Sequence, residues 1–88
     1  VKVDVNSKAY PQLVRVYTNG GALIVHTDQP AVCAFSTKVK EFTFGDGIKM
    51  TSSTNVQHQL QLGKDGIYYV KCEDTRTRKL SPSYTVII

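Results

Sequence analysis

The chain contains 88 residues, a length that allows one domain and excludes a multidomain architecture. Hydrophobic residues make up 41% of the sequence and charged residues 20%, which excludes a disordered tail. The formal net charge of +4 predicts weak attraction to polyanions and is too small for a dedicated nucleic-acid binder, so nucleic acid is not an expected partner.

Residues that favour strands greatly outnumber those that favour helices. Val, Ile, Thr, Tyr and Phe account for 33 residues, whereas Ala, Leu, Glu and Met account for 12. This imbalance excludes a helical bundle and predicts an all-β fold. No apolar run approaches the roughly 20 residues of a membrane span, so we expect no direct insertion into a membrane.

The first segment alternates in hydrophobicity, with Val1, Val3 and Val5 separated by polar residues. This period of two is typical of a half-buried strand or an extended entry segment. We therefore interpret residues 1–88 as one β-sandwich domain in which residues 1–12 are a linker or an extra edge strand. Because no Met precedes Val1, we expect the chain to be a processed or excised domain.

Next comes the strongest local signal, a hairpin. Strands are predicted at residues 13–17 and from residue 21 or 22 to residue 27, and Asn19-Gly20 between them supplies the positive φ angles that a tight turn requires. A turn at residues 28–30 precedes a strand at 31–36, which is apolar on both faces and therefore central.

The pattern weakens in the middle of the chain. We predict a short strand at residues 41–44, a turn at 45–47, and loop or edge structure in the polar run 51–54. In the strand that follows, one face is predicted to carry three apolar residues and a histidine, and the other face to carry glutamines. The inward set is Val56, His58, Leu60 and Leu62, and the outward set is Gln57, Gln59 and Gln61.

The last third predicts two more strands. Residues 63–66 form a turn, residues 67–73 a strand, residues 74–80 a polar loop and residues 83–88 the final strand. Tyr68, Val70 and Cys72 share one side of the first of these strands. Seven or eight short strands separated by regular turn signals are typical of an antiparallel β-sandwich.

Residues 62–74 resemble the corner between strands E and F, and strand F itself, of fibronectin type III and related immunoglobulin-like domains. The shared pattern is a Leu, five intervening residues and then Tyr-x-Val, which here is Leu62, Tyr68 and Val70. The resemblance implies an immunoglobulin-like (fibronectin type III-like) sandwich. It also implies that Tyr68 is the tyrosine-corner residue, with its ring buried and its hydroxyl bonded to backbone a few residues upstream.

Cys33 and Cys72 lack the CxxC spacing of zinc and redox sites, and their spacing leaves open either two buried thiols or a disulfide. Residues 27–36 resemble the B–C region of bacterial secreted modules of this type, which carry one Cys on strand C and another late on strand F. In such a sandwich C and F are neighbours, so the resemblance implies a Cys33–Cys72 disulfide. A disulfide would favour a secreted or cell-surface location.

Catalytic and cofactor chemistry is not indicated. His26 and His58 have no third ligand at metal-binding spacing, and no Gly-x-Ser-x-Gly motif positions a nucleophile. Asp46, Asp65 and Asp74 lie beside turns and would suit either calcium or, for the first two, Asx turns. We predict that the protein is not an enzyme and holds no metal or cofactor.

The most conspicuous charge cluster is formed by Arg76, Arg78 and Lys79, in the segment that the resemblance assigns to the F–G loop. We regard it as a candidate partner-binding loop for an anionic polysaccharide or another acidic group, the alternative being a solvated loop without a partner. Tyr69, which alternates with Tyr68, is expected to point outward, where its ring would suit a protein or sugar contact.

These observations predict a non-catalytic structural or adhesive module of a larger secreted or surface protein. Its partners would be neighbouring domains or surface proteins, and the isolated domain would be a monomer. One alternative is a small glycan- or polyanion-binding domain that uses the F–G loop. Another is a subunit of a surface filament, in which residues 1–5 pair with the sheet edge of a neighbouring molecule.

Overall fold

A computed structural model describes residues 10–88, and within them the chain is all-β, as predicted from its composition. The strands are β1 (Leu13–Asn19), β2 (Ala22–Thr27), β3 (Ala31–Ser36), β4 (Ile48–Lys49), β5 (Thr51–Thr54), β6 (Gln57–Gln61), β7 (Ile67–Asp74) and β8 (Tyr84–Ile87). The strand or linker predicted before residue 10 lies outside the described residues. Within the described part there is no helix of the length and hydrophobicity needed to cross a membrane.

The strands form two antiparallel sheets of four strands each. Sheet one has the order β1-β2-β6-β5, and sheet two has the order β4-β3-β7-β8. Buried side chains from both sheets pack into one core, which consists of Leu23, Val25, Ala31, Cys33, Met50, Leu60, Tyr68, Val70 and Cys72. Each sheet therefore buries its inner face against the other, as in a β-sandwich.

Alternation along the strands sorts side chains between this core and the surface. In β6 the side chains of His58 and Leu60 are buried, whereas Gln61 is exposed and the other two glutamines are half-buried. In β7 the side chains of Tyr68, Val70 and Cys72 are buried, as the sequence predicts. The period of two thus predicts the inner faces of β6 and β7, except that Val56, expected to point inward, precedes β6 and is exposed.

The β1–β2 hairpin turns one residue later than predicted. Asn19 is the last residue of β1 and pairs with Ala22, while Gly20 and Gly21 occupy the turn with φ angles of 60° and 83°. Two consecutive positive φ angles are typical of the two-residue turn that matches the twist of paired strands. The turn centre is therefore Gly20-Gly21 rather than Asn19-Gly20.

The prediction of a strand at residues 41–44 is wrong. This segment lies in the β3–β4 connection, which contains only a short 3₁₀ turn at Phe44–Asp46. Phe42 is buried, and its ring lies against Gly47. A Cβ on Gly47 would clash with this ring and would also lie close to the Cβ of Ala34. The burial of one aromatic ring on the outside of sheet two, rather than strand pairing, therefore fixes this connection.

The chain passes from sheet two to sheet one at Met50. β4 pairs with β3, whereas β5, the polar run expected to be loop or edge, is an edge strand that pairs with β6. Met50 lies between them with its side chain in the core, and its N–H donates to the carbonyl of Cys33 at 2.9 Å. One extended segment thus serves both sheets.

Cys33 and Cys72 are bonded to each other across the centre of sheet two. They are directly opposite in the β3–β7 register, with the sulfur atoms 2.05 Å apart and the Cα atoms 4.1 Å apart. Both are completely buried. The bond closes a loop with a sequence separation of 39 residues. A loop of this length is worth about 4 kcal/mol in the chain-entropy description of disulfide stabilisation.

Tyr68 connects the inner face of β7 to the turn that precedes it. The N–H of Gly63 donates to the Tyr68 hydroxyl oxygen at 3.0 Å, and the Tyr68 side chain is only 2% exposed. Leu62 is partly buried against the same core. The hydrogen bond therefore ties the β6–β7 turn to the core.

We expect Gly47→Ala to destabilise the fold by about 1–3 kcal/mol, the usual cost of overpacking. A Cβ at this position would lie 2.5 Å from Cε2 of Phe42 and 3.1 Å from the Cβ of Ala34, so the Phe42 ring would have to move. Gly45→Ala is the matched control, because a Cβ there meets no atom within 4 Å. Equal urea midpoints for the two variants would contradict this assignment.

Tyr68→Phe should lower the free energy of unfolding by about 1 kcal/mol, because the N–H of Gly63 loses its acceptor. Tyr69→Phe should change it by less than about 0.5 kcal/mol, since Tyr69 is half-buried on the outer face. Urea unfolding of both variants is the measurement. The opposite ranking would mean that Tyr69, not Tyr68, faces the core.

Candidate functional site

The β7–β8 loop is a tightly bonded turn organised by Asp74. The buried carboxylate of Asp74 accepts hydrogen bonds from the N–H groups of Arg76 at 2.7 Å and Thr77 at 3.0 Å. The backbone N–H of Asp74 donates to the carbonyl of Lys79, and the backbone carbonyl of Asp74 accepts from the N–H of Arg78. Arg78 has a φ of 65°. The bonds to Thr77 and Arg76 lower the pKa of Asp74. The loop is therefore held by the Asp74 carboxylate together with bonds within its own backbone.

The structure brings the three predicted basic residues together on this loop, but two of them face carboxylates. The Arg78 guanidinium lies 3.3 Å from Glu73, and the Arg76 Nε lies 3.8 Å from Asp74. The Arg76 side chain is 68% exposed and that of Arg78 is 78% exposed, so these ion pairs are weak. Among the described residues, Lys79 is the member of the cluster without an ion pair. The cluster presents less free charge than its sequence indicates.

A second group of basic residues, which sequence reasoning missed, lies on the outer face of sheet two. Lys49 of β4 and Lys71 of β7 are both register partners of Ala34 on the intervening strand β3. The ammonium of Lys71 lies 5.3 Å from the ring centre of Phe42, and that of Lys49 lies 5.6 Å from that of Phe44. We call Lys49, Ala34 and Lys71 the lysine row.

Only one of the two lysines in this row could be placed from the sequence. Lys71 alternates with Val70 and Cys72, so its outward direction follows from the period of two. Lys49 belongs to a strand of two residues, and no local pattern predicts that it pairs with Ala34. Tyr69, expected to point outward, lies on the same face of β7 and is half-buried opposite Ser36 and Thr85.

The charge of the described residues is concentrated on the side of sheet two. Sheet two and its β3–β4 and β7–β8 connections contain seven basic residues and four acidic ones, a balance of +3. The basic residues are Lys38, Lys40, Lys49, Lys71, Arg76, Arg78 and Lys79, and the acidic residues are Glu41, Asp46, Glu73 and Asp74. Elsewhere between residues 10 and 88, Arg15 and Lys64 are balanced by Asp28 and Asp65.

His58 is a buried member of sheet one rather than part of a surface site. Its side chain is 0% exposed, with Nδ1 2.7 Å from the Ser52 hydroxyl and Nε2 3.4 Å from the Thr27 hydroxyl. Burial lowers the pKa of His58, and the nearby His26 imidazole lowers it further, while a hydrogen bond with the Asn55 backbone raises it. His58 is therefore neutral near pH 7 and has a packing role.

His26 lies on the opposite face of the same sheet. Its ring stacks on that of Tyr17, with centroids 5.8 Å apart, and the Arg15 guanidinium lies 4.7 Å from the Tyr17 ring centre. In the part of the chain that the structure describes, no three His, Cys, Asp or Glu side chains are grouped to hold a metal ion. Asp74, one of the three candidate calcium ligands, caps its own loop.

Comparison with known proteins found no matching family profile, no matching curated protein and no matching solved structure.

We expect the folded state to lose stability as the pH falls below about 6.5. Because the pKa of His58 is lower in the folded state than its ordinary value of 6.5, the unfolded state binds more protons in this range. The loss should begin near that value and level off once the pH lies below the folded-state pKa. Any contribution of Asp74 to acid sensitivity falls in a lower range, below the ordinary carboxyl value of 3.8.

The measurement is the urea midpoint between about pH 7.5 and pH 5, the range in which imidazoles titrate. His58→Gln should flatten this profile, whereas His26→Gln should retain the slope that His58 causes. Should the flattening occur only in the His26 variant, the dependence would have been assigned to the wrong imidazole.

Proposed function

We propose that this chain is an immunoglobulin-like β-sandwich that acts as a non-catalytic structural or adhesive module of a secreted or cell-surface protein. The observation that carries the proposal is the buried disulfide between Cys33 and Cys72. Structural disulfides persist in oxidising compartments, and small extracellular domains depend on them because their cores are small. Partners would then be neighbouring domains or other surface proteins.

The order of the strands supports the immunoglobulin-like part of the proposal. If β1 to β8 are read as A, B, C, C′, D, E, F and G, sheet one has the order A-B-E-D and sheet two the order C′-C-F-G. Immunoglobulin constant-type sandwiches combine an ABED sheet with a CFG sheet. The bond between Gly63 and the Tyr68 hydroxyl lies at the E–F corner under this assignment, where such domains have their tyrosine.

The position of the disulfide suits a module that must stay folded in a fluctuating environment. It joins the two central strands of sheet two, β3 and β7, at the point where they are directly opposite. If an edge strand of sheet two, β4 or β8, detaches, the two central strands therefore stay covalently joined. A spacer between adhesive domains needs this kind of local persistence more than it needs a pocket.

A filament subunit is the second candidate function, and one specific observation favours it. β8 is an edge strand of sheet two, and Ile87 on it is 74% exposed beside its register partner Ile67, which is also exposed. An edge strand with apolar side chains is a surface on which a strand of another molecule can pair. The two candidates differ in whether this edge stays unpaired in solution.

Protein purified from an oxidising compartment without reductant should contain no thiol that reacts with an alkylating agent. Cys33→Ala/Cys72→Ala should lower the free energy of unfolding by about 2–5 kcal/mol, as loss of a native disulfide does in small secreted domains. Intact mass spectrometry after alkylation, followed by urea unfolding, tests both statements. Two alkylated cysteines would remove the support for an extracytoplasmic module.

Light scattering coupled to size-exclusion chromatography separates the two candidate functions. A monomeric mass at all concentrations supports the spacer or adhesive module. A mass that rises with concentration, and returns to that of the monomer in an Ile87→Lys variant, supports the filament subunit instead, because a charge on an edge strand opposes pairing.

A further inference from the structure

The lysine row on the outer face of sheet two has the features of a binding surface for an extended anion. Lys49 and Lys71 lie on strands that flank β3, and both pair in register with Ala34. Two strand spacings of about 4.8 Å place their Cα atoms roughly 10 Å apart. Ala34 between them is fully buried beneath the β3–β4 connection, where a Cβ on Gly47 would lie 3.1 Å from the Cβ of Ala34 and 2.5 Å from the Phe42 ring. The two lysines therefore flank this connection, and no side chain of β3 rises between them.

Aromatic rings position both ammonium groups without neutralising them. The Phe42 ring lies beneath the ammonium of Lys71, and the Phe44 ring beneath that of Lys49, at centroid distances of 5.3 and 5.6 Å. A cation–π contact restrains a lysine but leaves its positive charge uncompensated. Neither lysine is in an ion pair with the described residues, whereas Arg76 and Arg78 on the β7–β8 loop both are.

The surrounding charge attracts anions to this side of the molecule. The whole balance of +3 within residues 10–88 lies on sheet two and its connections. Lys38 and Lys40 lie in the connection that carries Phe42, and both are exposed. At physiological ionic strength the Debye length is about 8 Å, so neighbouring members of this set act together only on a ligand that is close to the surface.

We infer that the outer face of sheet two binds a linear acidic polysaccharide, with Lys49 and Lys71 each contacting a carboxylate of a different uronic acid unit. Such a chain is extended, and its carboxylates are separated by sugar rings, which suits two restrained cations spaced across three strands. This inference does not depend on the structural or adhesive role proposed above, because a face of this kind can bind whatever the rest of the protein does.

The same face is poorly suited to nucleic acid and to an acidic peptide. Single-stranded nucleic acid uses exposed aromatic rings as stacking platforms, but Phe42 is buried and the ammonium of Lys49 lies over Phe44. An extended peptide gains its affinity from the backbone of a free strand edge and runs along it. The lysine row starts on the edge strand β4, but it runs across the strands to β7.

Polygalacturonate is the probe, and its affinity is measured by biolayer interferometry at low and physiological salt. Lys49→Gln/Lys71→Gln should weaken binding at least about tenfold, because two charge-assisted contacts are lost. Lys49→Arg/Lys71→Arg retains both charges and should bind within a few-fold of the wild type. The matched control is Arg15→Gln/Lys64→Gln, which removes the same charge away from sheet two and should have a much smaller effect.

The control variants show whether polygalacturonate binds to the lysine row, binds to the β7–β8 loop or is attracted by net charge alone. Equal weakening by both glutamine double variants would mean that net charge alone governs binding and would overturn the inference. So would a larger loss in Arg76→Gln/Arg78→Gln than in the lysine variant, which would assign binding to the β7–β8 loop. Tighter binding of single-stranded DNA than of polygalacturonate, in the same buffer, would also overturn it.

An NMR titration gives an independent readout of location. Addition of polygalacturonate to the wild-type protein should shift the backbone amide signals of Ala34, Lys49 and Lys71 more than those of β1 and β2 in sheet one. The spectrum of Lys49→Gln/Lys71→Gln without ligand shows whether that variant is folded. Shifts confined to sheet one or to the β7–β8 loop would contradict the inference.

Discussion

The pairing of β3 with β7 across the Cys33–Cys72 bond is the constraint on which the rest of the structure depends. The two cysteines are directly opposite and wholly buried, so their bond fixes which residues of the two strands face each other. A slip of one residue would exchange the inner and outer faces of β7. The core contact of Tyr68 and the outward direction of Lys71 therefore depend on the same register.

How much could be predicted from the sequence depends on how local the determining contacts are. The inner faces of β6 and β7 could be predicted because the alternation of apolar and polar residues along one strand shows which side chains face the core. At residues 41–44 the expected strand is absent, and Phe42 is instead buried against Gly47, a contact that has no local signature. For the same reason the partnership of Lys49 with Ala34 could not be predicted.

The two groups of basic residues show that clustering in the sequence and availability at the surface are different properties. Arg76 and Arg78 are close in the chain, yet the strand end that presents them also supplies Glu73 and Asp74 as partners. Lys49 and Lys71 are far apart in the chain, and the sheet brings them into one row over rings that leave their charge free. As a candidate surface for binding an anion, the sequence therefore points to the β7–β8 loop, whereas the uncompensated charges of the structure point to the lysine row on sheet two.

The mode of restraint decides which group is better suited to recognition. An arginine already bonded to a carboxylate must exchange one partner for another, so a new anion gains only the difference between two similar interactions. A lysine held over an aromatic ring loses little of that contact when an anion approaches its far side, and part of its conformational entropy has already been lost. The connection between β3 and β4 supplies Phe42 and Phe44 for this purpose.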